Sequence, residues 1–277
     1  MGLGFHKYQG LGNDFILLDN RQQSDLLLTP AQVQRWCDRH FGIGADGVIF
    51  LLPAQGQGDY QMRIVNSDGS EPEMCGNGIR CLAQFIRDLG DPRRDLVIET
   101  LAGLMKPSFT PEGLIRVDMG LPKLLASEIP TTLAEGKVVN HPLLVAGQEW
   151  LVTCVSMGNP HAVVFVEDVA GIPLAQVGPL FEHHPAFPQR VNTEFVQVLD
   201  RQRLKMRVWE RGAGATLACG TGACASLVAG VLTGQTDRQA TVQLPGGDLQ
   251  IAWDPQTNHV WMTGSASLVF VGAWCGS

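Results

Sequence analysis

The 277-residue sequence has no long apolar run and no cluster of basic residues. Its longest apolar stretch, around Ala223 to Leu232, is too short to span a bilayer. The formal net charge of -7 argues against nucleic acid and anionic membrane surfaces as partners. The first residues also lack the basic flank and apolar segment of a secretion signal. We therefore expect a cytoplasmic protein that acts on a small molecule.

Cys-x-x-Cys pairs are also absent. The seven cysteines are an odd number and are scattered along the chain, which fits neither a disulfide framework nor a structural zinc site. The His183-His184 pair has no carboxylate or cysteine at ligand spacing. A chain of this length buries a sizeable core without such crosslinks. We therefore expect reduced thiols and no metal.

Many short β-branched or alternating runs, bounded by Gly, Pro, Asn or Asp, are typical of strands. Helical periodicity is clear in fewer places, which are 29–39, 79–89, 173–182 and 222–234. The last of these is apolar nearly all round, which indicates a buried helix. The sequence therefore predicts an α+β fold with helices packed inside or against strongly curved sheets.

Two similar turns stand at the start of two of these helices. They are Cys75-Gly76-Asn77-Gly78 and Cys219-Gly220-Thr221-Gly222. An offset of 144 residues aligns the two cysteines and also aligns Asn66-Ser67-Asp68-Gly69 with Glu210-Arg211-Gly212-Ala213. An offset of 146 aligns Gly12 to Phe15 with Gly158 to His161. Turns of this kind also recur by chance, but the repeated order predicts a duplication.

The duplication predicts two similar halves related by a pseudo-twofold axis. We place the boundary near Gly120-Leu121-Pro122, with halves of 1–120 and 121–264. The C-terminal segment from about 265 to 277 is expected to return to the first half.

A cysteine at a helix N-terminus can have its pKa lowered toward neutrality, because unpaired backbone N–H groups carry partial positive charge. The following glycines leave these amides open to a substrate carboxylate. A carbon held between a thiolate and a thiol can lose a proton on one face and gain one on the other. Sulfurs roughly 6 to 7 Å apart would suit this geometry. The pair therefore indicates a racemase or epimerase.

Other interpretations remain open at this point. Free cysteines are often buried core residues. Two low-pKa thiols across a narrow cleft would also suit a redox sensor, although the missing Cys-x-x-Cys counts against it. A catalytically silent small-molecule binder on the same fold is a further alternative.

The ordered set of motifs resembles the diaminopimelate epimerase family over almost the whole chain. The motifs are Gly12-Asn13-Asp14-Phe15, Asn66 with Asp68-Gly69-Ser70-Glu71, both cysteine turns, Arg80-Cys81, Gly158-Asn159-Pro160-His161, Asn192, Glu210-Arg211-Gly212-Ala213-Gly214 and Met262-Thr263-Gly264. The resemblance implies two barrel-like sheets, each wrapped around a central helix, with a site in the cleft between them. It also implies a cofactor-independent interconversion of LL- and meso-2,6-diaminopimelate, in lysine and peptidoglycan precursor biosynthesis, by a homodimer.

The resemblance also implies roles for individual residues. Cys75 resembles the proton donor and Cys219 the proton acceptor in the LL to meso direction. Gly76-Asn77 and Gly220-Thr221 match the turns that hold the reacting carboxylate. His161 and Glu210 match groups around the reacting centre, where Glu210 can pair with the α-ammonium. The side chains that match the binders of the distal amino-acid centre are Asn13, Asn66, Asn159, Asn192 and Arg211.

Two features need separate interpretation. Some family members have a substrate-contacting Gln where this chain has Gly47, so that contact stays unassigned. Gly42 to Gly47 matches the dinucleotide-binding pattern of glycines, but here a helix precedes and a strand follows, which is the reverse of the required order. Among isomerases, a proline-type racemase would also use two thiols as acid and base. The asparagines and Arg211 suit a second zwitterionic centre in the substrate, which favours diaminopimelate.

Overall fold

The computed structural model describes residues 2–276, which form two compact units. One unit contains the chain up to Val117 together with the segment from Gly264 onward, and the other is Asp118–Thr263. Each unit has a mixed sheet with few helices. The predicted α+β fold class is therefore confirmed.

The first unit has helices α1 (Pro30–Cys37) and α2 (Gly76–Asp88). Its sheet has the strand order β18-β1-β2-β3-β4-β5-β6. The strands of this sheet are β1 (Leu3–Gly10), β2 (Asn13–Asp19), β3 (Gly47–Pro53), β4 (Tyr60–Asn66), β5 (Ile98–Thr100), β6 (Gly103–Met105) and β18 (Ser267–Trp274). A hairpin of β7 (Ser108–Phe109) and β8 (Ile115–Asp118) follows β6 in the sequence.

The second unit has helices α3 (Leu174–Glu182) and α4 (Gly220–Leu232), and a short 3-10 helix at Ala126–Glu128. Its strands are β9 (His141–Val145), β10 (Gln148–Ser156), β11 (Pro160–Phe165), β12 (Asn192–Asp200), β13 (Arg203–Glu210), β14 (Gly214–Ala215), β15 (Gln239–Leu244), β16 (Gly247–Trp253) and β17 (Val260–Gly264). Their order is β17-β16-β15-β13-β12-β11-β10-β9, and β14 pairs with β13.

The two units share one topology. The order β18-β1-β2-β3-β4-β5-β6 corresponds strand by strand to β9-β10-β11-β12-β13-β15-β16. Parallel pairing occurs at the same two places in each, namely β2 with β3 and β4 with β5, and β11 with β12 and β13 with β15. The helices α1 and α3, and α2 and α4, also fall between equivalent strands. The predicted internal repeat is therefore visible in the fold.

Each sheet is covered by helices because its middle strands are apolar on both faces. In β3, Val48 and Phe50 pack in the core cluster that includes Trp36 of α1, while Ile49 lies close to Gly78 of α2. Such a strand reads as a continuous apolar run. The helix α2 contacts β1, β2, β3, β4 and β18, and α4 contacts β10, β11, β12, β15 and β16. Each unit therefore curves its sheet around one central helix.

Neither sheet forms a closed barrel within residues 2–276, because neither strand order returns to its first strand. The barrel-like curvature expected from the resemblance therefore takes the form of an open sheet around α2 or α4. None of the helices in the same residues has the length and apolar character needed to cross a membrane.

Candidate functional site

The two predicted cysteine turns have nearly the same backbone. Cys75 is the N-cap of α2, with φ -135° and ψ 119°, and its Sγ accepts a hydrogen bond from Gly78 N at 3.4 Å. Cys219 is the N-cap of α4, with φ -128° and ψ 107°, and its Sγ accepts from Gly222 N at 3.4 Å. Both sulfurs therefore lie at the positive end of a helix.

The first helix turn of each α-helix leaves its backbone N–H groups without partners inside the helix. Gly76 and Asn77 in α2, and Gly220 and Thr221 in α4, occupy these positions. Such amides bind carboxylates well. Each turn can therefore hold an anionic oxygen beside its thiol.

A network of amides surrounds Cys75, which is half-buried. Asn13, at the start of β2, uses its Oδ1 to accept from Asn77 Nδ2 at 3.2 Å and faces the Cys75 Sγ at 3.8 Å. Asn13 Nδ2 in turn donates to Asp46 Oδ2 at 2.5 Å. The orientation of the Asn13 amide is thus fixed by Asp46.

Arg80 lies fully buried in the second turn of α2. Its guanidinium donates to Asn77 Oδ1 at 3.0 Å, to Gly76 O at 3.1 Å and to Ser265 O at 3.3 Å. A buried guanidinium provides several donors in a rigid plane. Arg80 therefore holds the first turn in place and puts a positive charge behind it.

Cys219 is surrounded by carboxyl groups. It is only 4% exposed, and the carboxyl group of Glu210, at the end of β13, lies close enough to influence its titration. Glu210 accepts from Thr216 Oγ1, and Thr221 Oγ1 lies 3.6 Å from the Cys219 Sγ. Burial raises the pKa of Glu210 above its ordinary value. Burial therefore favours the protonated form of both the Glu210 carboxyl group and the Cys219 thiol.

The predicted lowering of the Cys219 pKa is wrong for this structure. Burial raises the pKa of the Cys219 thiol well above its ordinary value, and the charges of Glu210 and Glu194 raise it further. Hydrogen bonds from Thr221 and from the Gly222 N–H act in the opposite direction but are smaller. The helix N-terminus therefore does not by itself convert Cys219 to a thiolate.

A chain of hydrogen bonds connects His161 to the second turn. The His161 Nε2 lies 2.9 Å from Asn159 Oδ1, and Asn159 Nδ2 donates to Thr221 Oγ1 at 3.3 Å. His161 Nδ1 contacts Glu194 Oε1 at 2.7 Å, and both of these side chains are fully buried. His161 and Asn159 are thereby joined to the group of Cys219, Glu210 and Thr221.

Three of the predicted residues make no hydrogen bond, among residues 2–276, to the groups around Cys75 and Cys219 described above. Asn66, at the end of β4, donates to Ser70 Oγ at 3.0 Å. Asn192 is buried at the start of β12, where its Oδ1 accepts from Arg211 N and its Nδ2 donates to Pro160 O. The Arg211 guanidinium reaches Gln189 O at 3.1 Å. The expected contacts of these side chains with a second carboxylate stay predictions.

Sequence reasoning missed Glu194, Asp46 and Thr216. Glu194 follows Asn192 by two positions, so both side chains belong to the same face of β12. This spacing is the signal that could have identified Glu194. At Gly47, a Cβ atom would lie 2.8 Å from Val65 O, so a larger residue there would require the backbone to shift.

The glycine-rich segment before β3 connects a helix to a strand, in agreement with the order read from the sequence. Gly44 has φ +80°, a conformation that favours glycine. Within residues 2–276, no three histidine, cysteine, aspartate or glutamate side chains are grouped to hold a metal ion.

Comparison with known proteins gives consistent results. The family model described as diaminopimelate epimerase matches residues 5–125 and 153–269. Diaminopimelate epimerase 1 of Nostoc sp. is 66% identical, over 98% of this chain and 99% of the relative. Diaminopimelate epimerase of Synechocystis sp. is 65% identical, with the same two coverages.

A solved structure shows the same fold at low identity. The Bacillus anthracis phenazine biosynthesis protein of the PhzF family has a TM-score of 0.69 and 16% identity, and 98% of each chain is covered. The fold alone is therefore shared beyond the family. The family match and the two relatives show that this chain belongs to the diaminopimelate epimerase family.

Proposed function

We propose that this chain interconverts LL- and meso-2,6-diaminopimelate by a cofactor-independent two-base mechanism, as a step toward lysine and peptidoglycan precursors. The observation that carries the proposal is the matched pair of N-cap cysteines, Cys75 and Cys219, on duplicated topology. The names of the relatives at 66% and 65% identity supply the substrate.

In the LL to meso direction, the Cys219 thiolate takes the α-hydrogen as a proton, and the bonding electron pair stays on the substrate. The developing negative charge spreads onto the substrate carboxylate, which the helix N-terminal amides stabilise. The Cys75 thiol then donates its proton to the opposite face of the α-carbon. Cys219 ends as a thiol and Cys75 as a thiolate, and proton exchange with solvent resets the pair.

Glu210 has a specific part in this cycle. The partly buried carboxylate of Glu210 beside Cys219 raises the pKa of the thiol. When the substrate α-ammonium pairs with Glu210, the added positive charge offsets this effect, so the thiol loses its proton more readily. We therefore propose that substrate binding generates the Cys219 thiolate.

The other predicted residues complete the assignment. Thr221 and Asn77 orient the reacting carboxylate with their neighbours Gly220 and Gly76. The distal amino-acid centre is read by neutral amides and a guanidinium, from Asn13, Asn66, Asn159, Asn192 and Arg211. The need for two reduced thiols supports a cytoplasmic location. The exposed apolar edge strand β18, with Val269 and Val271, supports a homodimer.

Running the wild-type protein on LL-diaminopimelate in D2O tests this function. We expect meso product that carries solvent deuterium at the inverted α-carbon, because Cys75 exchanges its proton with solvent. Cys75→Ala and Cys219→Ala should each lose about 1000-fold in kcat. Meso product without deuterium, or full activity in Cys75→Ala, would contradict the two-base scheme. Turnover of L-proline in a parallel assay, with none of diaminopimelate, would assign a different racemase.

A further inference from the structure

Glu194 is a buried carboxylate that the mechanism above does not use. Its side chain on β12 is fully buried, and its Oε1 lies 2.7 Å from His161 Nδ1. Its Oε2 has no hydrogen-bond partner among residues 2–276. A buried carboxylate oxygen without a donor reduces stability. Stability alone therefore does not explain a glutamate at this position.

The position of Glu194 connects it to the proposed proton acceptor. Its Oε1 lies 2.7 Å from the place that a Cβ on Gly222 would occupy, so the carboxyl group lies against the first turn of α4. From His161 the contacts continue through Asn159 and Thr221 to the Cys219 Sγ. A continuous path of contacting side chains therefore runs from the buried Glu194, through His161, Asn159 and Thr221, to Cys219.

The chemistry of the Glu194 and His161 contact restricts the imidazole. An ionised carboxylate only accepts hydrogen bonds, so the proton of this contact is on Nδ1 of His161. His161 Nε2 lies 2.9 Å from Asn159 Oδ1, which also only accepts, so this contact places a second proton on Nε2. The pair is therefore an imidazolium with a carboxylate. In the serine protease triad a carboxylate likewise fixes the ring orientation of a histidine and stabilises its imidazolium form.

Resting on the function proposed above, we propose that Glu194 is a positioning residue. It holds His161 with Nδ1 protonated and thereby fixes Asn159 and Thr221 beside Cys219. Glu194 does not touch the substrate in this role. It acts through His161 and through its charge.

The charge of Glu194 acts on the titratable groups packed around it. These are His161 on β11, Glu210 on β13, Cys219 on α4 and Cys154 on β10. Glu194 raises the pKa of Cys219, Glu210 and Cys154. Neutralising Glu194 should therefore lower the pKa of Cys219 as well as release the His161 ring.

The variant Glu194→Gln tests both effects because it keeps the size of the side chain. A glutamine amide at the Oε2 position would have no acceptor, so its NH2 should turn toward His161 Nδ1 and leave the ring protonated on Nε2 alone. We expect kcat to fall about 10- to 100-fold, with KM within about threefold, as for other outer-shell partners. The acidic limb of the kcat/KM profile for LL-diaminopimelate should move to lower pH.

Thr193→Val is the matched control. Thr193 is the neighbour of Glu194 on β12, its side chain lies on the opposite face, and its buried Oγ1 has no partner in the described chain. Activity and profile should stay within about twofold of wild type in this variant. An equal loss in both variants, or a loss in Glu194→Gln with an unmoved pH profile, would overturn the positioning role. Glu194→Asp keeps the charge and should retain the wild-type limb.

An NMR measurement separates this proposal from the proposed function. Long-range ¹H–¹⁵N correlation of the histidine rings in the wild-type protein, with His161 assigned by its loss in His161→Gln, reports the protonated nitrogen without any turnover. We expect protons on both ring nitrogens in wild type and on Nε2 alone in Glu194→Gln. A wild-type ring protonated only on Nε2 would overturn the proposal even in an active epimerase. An enzyme inactive on diaminopimelate would refute the function and leave this result intact.

Discussion

The turns at Cys75 and Cys219 have the same backbone but different surroundings. The guanidinium of Arg80 is buried behind the first turn, while the carboxyl groups of Glu194 and Glu210 lie beside the second. At the repeat offset of 144 residues, Arg80 corresponds to Cys224. The duplicated fold thus supplies equal geometry, and the differing side chains supply unlike proton affinities. A two-base reaction needs this difference, because one sulfur must hold a proton while the other does not.

Strand register shows which residues replaced each other. Ile49 pairs with Leu17 and Ile64, and Glu194 pairs with Val163 and Val208 at the equivalent ladder positions. The buried acid Glu194 in the second unit therefore has an apolar counterpart, Ile49, in the first unit. Within the described residues, a buried acid, Glu194, lies next to Gly222 of the second turn, whereas Ile49 and Met62 lie next to Gly78 of the first.

Among the variants that test this difference between the two turns, Glu210→Gln should have the largest effect. Loss of the α-ammonium partner should lower kcat about 100-fold, within the range for acid–base groups. Glu210 raises the pKa of Cys219, so its neutralisation should lower that pKa. Cys219 is the base for LL substrate and the acid for meso substrate. In profiles of kcat/KM against pH, the acidic limb for LL-diaminopimelate and the alkaline limb for meso-diaminopimelate should therefore both move to lower pH.

Measuring kcat/KM against pH in both directions checks this prediction. Glu149→Gln, an exposed position on β10, is the charge control and should match wild type. Limbs that stay in place in Glu210→Gln would mean that the acid does not control Cys219 and that the asymmetry between the turns has another cause.

A smaller effect is expected from adding one methyl group to each turn. In Gly222→Ala the new Cβ would lie 2.7 Å from Glu194 Oε1. The Glu194 carboxyl group would have to move away, which would disturb its contact with His161. In Gly78→Ala it would lie 3.1 Å from Ile49 Cδ1, and an apolar side chain can move aside more cheaply. We expect about a tenfold loss of kcat in the first variant and about twofold in the second.

Steady-state assays of the two variants, with thermal unfolding as a check on folding, make this comparison. Equal losses in Gly222→Ala and Gly78→Ala would show that the buried acid does not make the second turn more sensitive.

Local sequence signals were enough to predict the helices and the positions of Cys75 and Cys219 at helix N-termini. Thr29 caps α1 with a reciprocal hydrogen bond to Gln32, and Pro30 occupies its first turn, as the sequence indicates. The cysteine turns carry their own glycine pattern. These features depend on residues that are neighbours in the chain, so sequence reasoning finds them.

Strand β1 and the burial of Glu194 and Cys219 depend on pairing between distant segments, and they were not predicted. β1 has Lys7 and Tyr8 in its middle and lacks a strong strand pattern, yet β2 and β18 pair with it on both sides. Glu194 resembles a surface glutamate on a strand until register places it beside His161. The raised pKa of Cys219 likewise depends on burial, which helix position does not reveal.

The equivalent edge strands β18 and β9 give a third comparison, with the smallest expected effect on catalysis. Val269 and Val271 on β18 are 55% and 58% exposed, and exposed Leu268 and Phe270 make the run continuous, whereas β9 exposes a single large apolar side chain, Leu144. An unpaired apolar edge can pair with a second copy of the same strand about a twofold axis. Val271→Asp should therefore give monomers in sedimentation velocity, and Leu144→Asp should remain dimeric like wild type. Dissociation by both variants, or a monomeric wild type, would mean that β18 is not the dimer edge. Activity per chain should change less than threefold in Val271→Asp, since every proposed site residue lies outside β18.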